Sequence, residues 1–280
     1  MKKYWVWALA VVCGFTSCGS DDKPYVKPLN KLTKVTCTLE ETGETLFATE
    51  ITYQNDGKIT NIRTSDGGKQ QFIYVGSTLT VSDTQQSGKV EYTLSGSAIT
   101  AKKVSKRNAY NSNVEYVSDS YAYHYTGSNL TWADWVVQWP NPDGLTYERK
   151  TYSKDEVFNW ENGNAASFTK DKKVIEYTYG GRKRPENLPF RVIDTFSPTG
   201  FDVFSPLNLM MGSMNREMPE KAVVYTIPDA SSPEAEYSFQ YTTTFDDYLM
   251  SMSISELAHS DAGIVSATYK YTFEYNYESK

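Results

Sequence analysis

Apolar and polar residues alternate with a period of two along much of this chain. Val35, Cys37 and Leu39 share one parity, as do Ile51 and Tyr53, Tyr121, Tyr123 and Tyr125, and Tyr177 and Tyr179. Successive side chains of an extended strand point to opposite faces, so each set predicts a strand with one packed face. In Phe239–Phe245 the aromatics fall opposite Gln240, Thr242 and Thr244. Met250, Met252 and Ile254 then alternate with Ser251, Ser253 and Ser255. With Asp246-Asp247 between them, the two runs predict a hairpin, packed on one side and wet on the other. The last run is the strongest. Tyr269, Tyr271, Phe273, Tyr275 and Tyr277 point one way, and Lys270, Thr272, Glu274 and Asn276 the other. Such an aromatic row predicts a strand well inside a sheet, paired on both sides.

A strand–turn–strand phrase recurs. Its clearest copy is Ile51–Thr60, where Ile51-Thr-Tyr53 runs into Asn55-Asp56-Gly57 and Ile59-Thr60 opens the next strand. Looser copies are Phe72–Val81, Val90–Thr100, Tyr121–Trp132 and Phe239–Ile254. Short polar turns join neighbouring strands, whereas parallel pairs need long crossovers. The expected fold is therefore all-β with a minor helix, an antiparallel meander of consecutive hairpins forming a curved sheet or a sandwich. Pro185, Pro189, Pro198, Pro206 and Pro219 break the pattern over residues 185–219. One short helix is predicted near 205–212, with Ser205 as N-cap, Pro206 at its first position and Gly212 past its end. Its Leu207, Leu209, Met210 and Met211 would plug one end of the sheet or cover a face. Residues 31–280 read as a single β domain carrying this insertion, with two domains split near residue 186 as the alternative.

Composition adds that the interior should be rich in tyrosine, since the chain holds 22 Tyr and 12 Phe. Tyrosine packs its ring while keeping its hydroxyl near water. The net charge is −6, an acidic balance that argues against a nucleic-acid partner. The basic runs Lys170–Lys173 and Arg182–Arg184 read as solvated turns.

Residues 1–17 read as a leader, with Met1-Lys2-Lys3 followed by an apolar stretch from Tyr4 to Phe15 that is short for a membrane span. Phe15-Thr16-Ser17-Cys18 resembles the cleavage site of a bacterial lipoprotein, which makes Cys18 the lipid-attachment residue, carrying acyl chains such as palmitate. An ordinary secretory leader is the alternative. Residues 18–30 read as a flexible tether. The acidic Gly19-Ser20-Asp21-Asp22 start resembles the export signal of surface lipoproteins in Bacteroidota, which implies an outer-membrane anchor facing the cell exterior. Cys13 leaves with the leader, so Cys37 remains alone and reads as a small buried hydrophobe.

The recurring phrase, the cysteine site and the Leu207–Met211-Gly212…Met218-Pro219 interlude together resemble a family of Bacteroidota lipoproteins known as a domain of unknown function. The phrase is also similar to degenerate Tyr-Asp hairpin repeats. The resemblance spans most of residues 32–277 and implies no activity.

Candidate chemistry is sparse. The sequence contains no HExxH, paired CxxC, EF-hand loop or glycine-rich phosphate loop, and no cofactor or metal site is expected. His124 reads as a surface residue opposite the tyrosines, and His259 as part of a polar loop. The aromatic cluster Trp132, Trp135 and Trp139 carries the one functional hypothesis, with Asp134, Gln138, Asp155, Glu156 and Trp160 nearby. Exposed, the three indoles would form a platform for sugar rings. In a strand, Trp135, Val137 and Trp139 would instead all face the core. The leading expectation is a non-enzymatic binding or structural module of the cell envelope with a polysaccharide as first candidate ligand. A surface glycan hydrolase and an envelope carrier of lipid or lipoprotein cargo are the alternatives, and protein partners stay open.

Overall fold

The computed structural model describes residues 31–84, 88–186, 188–191, 204–227, 232–243, 249–260 and 263–276. The leader, the tether, Cys18, Asp246-Asp247 and Tyr277 lie outside them.

Among the described residues, sixteen antiparallel strands form one closed barrel in which each strand pairs with its sequence neighbours. They are β1 Lys31–Leu39, β2 Thr45–Tyr53, β3 Ile59–Thr64, β4 Lys69–Val75, β5 Thr78–Asp83, β6 Lys89–Ser95, β7 Ala98–Arg107 and β8 Glu115–Thr126. Next come β9 Asn129–Pro140, β10 Tyr147–Glu161, β11 Asn164–Lys170, β12 Lys173–Lys183, β13 Glu217–Thr226, β14 Ala235–Thr243, β15 Leu249–Ser260 and β16 Gly263–Asn276. Closure comes from β1 pairing with β16, in the register Val35 opposite Phe273 and Cys37 opposite Tyr271. This overturns the expected curved open sheet or sandwich. Hairpin turns specify only which neighbours pair, whereas joining the first strand to the last removes both open edges. The copies of the recurring phrase at 51–60, 72–81, 90–100 and 121–132 are hairpins of this wall. In the first, Gln54 N–H donates to Lys58 O, and Lys58 N–H to Asp56 Oδ1.

The period-two pattern is the barrel's inside and outside. Tyr271, Phe273 and Tyr275 of β16 are buried, while Lys270, Thr272, Glu274 and Asn276 are exposed. On β14, Ala235, Tyr237 and Phe239 point in, and Glu236, Ser238 and Gln240 point out. The barrel interior is the hydrophobic core. Cys37 lies in it, fully buried, and burial pushes its thiol up to about 11.

Sixteen strands enclose more space than wall side chains readily fill. The described residues between β12 and β13 occupy part of it as a plug. Leu188, Phe190, Arg191, Phe204, Pro206, Asn208 and Met211 are buried. The Phe204 ring packs 5.1 Å from both Tyr271 and Phe273, and Phe190 lies 5.3 Å from Phe204. The expected helix near 205–212 is a single 3-10 turn, Pro206–Met210, and Ser205 makes no side-chain cap bond. Its buried residues are Pro206 and Asn208, while Leu209 is exposed. Tertiary bonds fix this turn. Asn208 Nδ2 donates to Pro189 O, and buried Arg191 donates to Met211 O and Ser213 O.

The basic runs are not simply solvated. Arg184 holds the start of the plug through Pro185 O, Leu188 O and Asn215 O. Lys170 points into the barrel and pairs with Glu156 at 3.1 Å. In both cases the barrel interior supplies acceptors that a turn-by-turn reading does not see.

Candidate functional site

The meander gives the barrel two distinct ends. Lys31 and Asn276 sit together at one end, along with the turns after β2, β4, β6, β8 and β10 and both ends of the plug. This is the terminal end. The other, the far end, carries the turns after β1, β3, β7, β9 and β11.

Near the far end, one patch of inner wall is only half-buried. Three rings stand side by side across β8, β9 and β10. The register places Tyr121 opposite Trp135 and Trp135 opposite Tyr152. Tyr121 and Trp135 stack at 6.1 Å and 11°, and Trp135 and Tyr152 at 4.9 Å and 15°. A lysine caps each end of the ladder. Lys102 Nζ lies 5.3 Å from the Tyr121 ring, and Lys150 Nζ 4.6 Å from the Tyr152 ring. Trp135 Nε1–H donates to Asp119 Oδ1 at 3.2 Å, and Lys106 Nζ lies 3.5 Å from Asp119 Oδ2. Deeper in, the Glu156–Lys170 pair faces the same space. Burial pushes the Tyr121 hydroxyl up to about 12, and lowers the guanidinium of Arg191, in the segment between β12 and β13, to about 10.

The three tryptophans do not form one platform. Trp135 lies within the ladder, with neighbours on both faces. Trp139 continues the same inner face toward the tip and is 39% exposed. Trp132 lies on the outer wall, because it is an odd number of residues from Trp135 along β9. There it stacks on His124 at 4.7 Å, with Lys154 Nζ 5.4 Å from its ring. His124 Nε2 is 2.9 Å from Asp134 Oδ2. Trp160 donates its indole N–H to Leu130 O at 2.7 Å, and Gln138 shares the outer parity of Trp132. His259 belongs to β15 rather than a loop and lies 3.5 Å from Glu236.

Tyr121, Tyr152, Asp119, Lys102 and Lys150 were not singled out by sequence. The signal for Tyr152 was present. Pairing Pro140 with Tyr147 across the Asn141–Thr146 turn places Tyr152 opposite Trp135. The rim beyond the ladder is braced, since Asn108 Nδ2 donates to Gly144 O and Tyr147 Oη, joining the β7–β8 and β9–β10 turns. Those turns expose Tyr110 and Leu145.

Residues 19–280 match the family described as a domain of unknown function, DUF5032, and the chain belongs to that family. No curated protein matches it. Two crystal structures of proteins described as porin-like share its fold. The one from Bacteroides uniformis ATCC 8492 is 13% identical with a TM-score of 0.60, covering 88% of this chain and 98% of that one. The one from Bacteroides vulgatus ATCC 8482 is 14% identical with a TM-score of 0.51, covering 88% and 99%.

The wall of this chain is patterned unlike a membrane pore. A barrel in lipid shows a continuous apolar band outside and a polar interior. Here Lys34, Glu50, Glu236, Lys270 and Glu274 lie on the outer face, and Val35, Ile51, Met252 and Phe273 fill the inside. Among the described residues, the inside holds a packed apolar core.

Proposed function

We propose that this protein is a non-enzymatic binding protein of the cell envelope, anchored by lipid at Cys18 and facing the cell exterior, that captures glycans at the far end of its barrel. One observation carries the reading. The half-buried Tyr121–Trp135–Tyr152 ladder, with Trp139 above it, lies at the end opposite Lys31. A tether attached at Lys31 leaves that end free to meet a ligand. Ladder edges and hydroxyls, Asp119 and the lysines offer hydrogen bonds to sugar hydroxyls, and the Trp139 indole offers apolar surface. The carrier reading is less favoured, because Phe190, Phe204 and the wall aromatics occupy the apolar interior.

A polysaccharide array scored for both retention and product release tests the proposal. Retention without shortened products supports it. Release of shortened products points to the hydrolase alternative, and absence of retention on every glycan overturns the glycan reading.

A further inference from the structure

The inner wall at the far end is not neutral in its pairing. Two of its carboxylates near the ladder are already engaged, and a third, exposed Glu148 opposite Trp139, lies nearer the rim. Asp119 takes Trp135 Nε1–H, Ser118 Oγ–H at 2.7 Å and Lys106. Glu156 takes Lys170 at 3.1 Å. Lys102 and Lys150 differ. Among the described residues neither lies within 4.0 Å of a carboxylate, and each rests against the outer ring of the ladder. A tyrosine face attracts an ammonium but leaves its charge and most of its donors unused.

The geometry also fixes their spacing. Lys102 is opposite Tyr121, and the row continues through Trp135 to Tyr152, with Lys150 two residues further toward the rim. Three strand spacings put the two lysine backbones roughly 14 Å apart laterally. No single small anion spans that distance. An extended chain bearing repeated anionic groups does.

We propose that the ligand of this wall is an anionic polysaccharide, with carboxylate or sulfate groups on successive residues, lying across the ladder between Lys102 and Lys150. This rests on the glycan reading above and narrows it. The two lysines supply charge-assisted hydrogen bonds at either end. The ring edges between them line the path of the chain, and the stacked row keeps the lysines apart. Lys103, next to Lys102, faces outward and takes no part.

The test is calorimetric titration of the purified full chain with polygalacturonate, with chondroitin sulfate and with a neutral glucan of similar length. The expected result is binding of an acidic chain, weakening steeply as salt rises, with at least tenfold lower affinity for the glucan. The double variant Lys102→Gln/Lys150→Gln should weaken acidic binding at least tenfold with its melting temperature unchanged, and Lys103→Gln should not. Binding of the glucan with equal or higher affinity overturns the anionic proposal and leaves the glycan reading standing. Binding of no polysaccharide overturns both. If the double variant melts earlier, Lys102→Arg/Lys150→Arg decides: retained acidic binding supports the charge argument, and lost binding overturns it.

Discussion

Asp134 Oδ1 accepts the backbone N–H of Lys154 at 2.8 Å, across an irregularity in the β9–β10 pairing. Lys154 sits there at φ 52°, a left-handed conformation unusual for a residue with a side chain. The bond turns Lys154 outward onto Trp132. The wall between Tyr152 and Glu156 is thereby cleared of a lysine that regular alternation would send inside.

Asp134 should therefore be an acid-sensitive support. The Lys154 amide, and then His124, hold its carboxyl below the usual carboxylate range. A depressed folded-state value means the stabilisation is present above the ordinary range and is lost as pH falls through the folded value. Asp134→Asn should lower the melting temperature by about 2–4 °C at neutral pH. It should also flatten the decline in stability on acidification. Thermal melts from pH 7 to pH 3 read both effects.

The plug should contribute substantially to stability. Phe204→Ala removes a buried ring that touches Tyr271 and Phe273, and should cost about 3–5 kcal/mol. Gly212→Ala should destabilise independently. Gly212 has φ 81°, and an added Cβ would lie 2.4 Å from Ser128 O and 2.7 Å from the Tyr125 ring. Urea unfolding measures both.

Cys37 should be silent to thiol reagents in the folded protein. It is fully buried, and its thiol is raised to about 11, so the reactive thiolate is scarce at pH 8. Labelling with a maleimide at pH 8 should be slow in buffer and rapid in denaturant. Rapid labelling in buffer would contradict the placement of β1.

Much of the wall was legible in the sequence, strand by strand. Tyr269 to Tyr275 alternate in sequence and point inward in space, and β16 pairs on both sides with β15 and β1. Closure was not legible, because the contact of Val35 with the β16 row joins segments more than 200 residues apart through no turn. The site was legible only in part. Trp132 and Trp135 are an odd number of residues apart, so plain alternation already puts them on opposite faces, and only the inward Leu130, across the register shift beside His124, breaks the parity. The plug's buried Arg191 and Asn208 carried no periodic signal. Their bonds go to backbone oxygens of the same irregular segment.

The anchor is tested separately. Labelled palmitate should enter the wild-type protein and not Cys18→Ala, and protease added to intact cells should shave the wild type. Equal labelling of both would remove the anchor, and resistance to shaving would turn the barrel away from the medium.

The most direct measurement compares Trp139→Ala with Trp132→Ala by titration against a glycan the wild type retains. Trp139 continues the inner wall above the ladder, and Trp132 lies outside it under His124 and Lys154. The account predicts at least a tenfold loss of affinity for Trp139→Ala and an unchanged affinity for Trp132→Ala. The reverse order, or no loss from either, would contradict binding at the far end of the barrel.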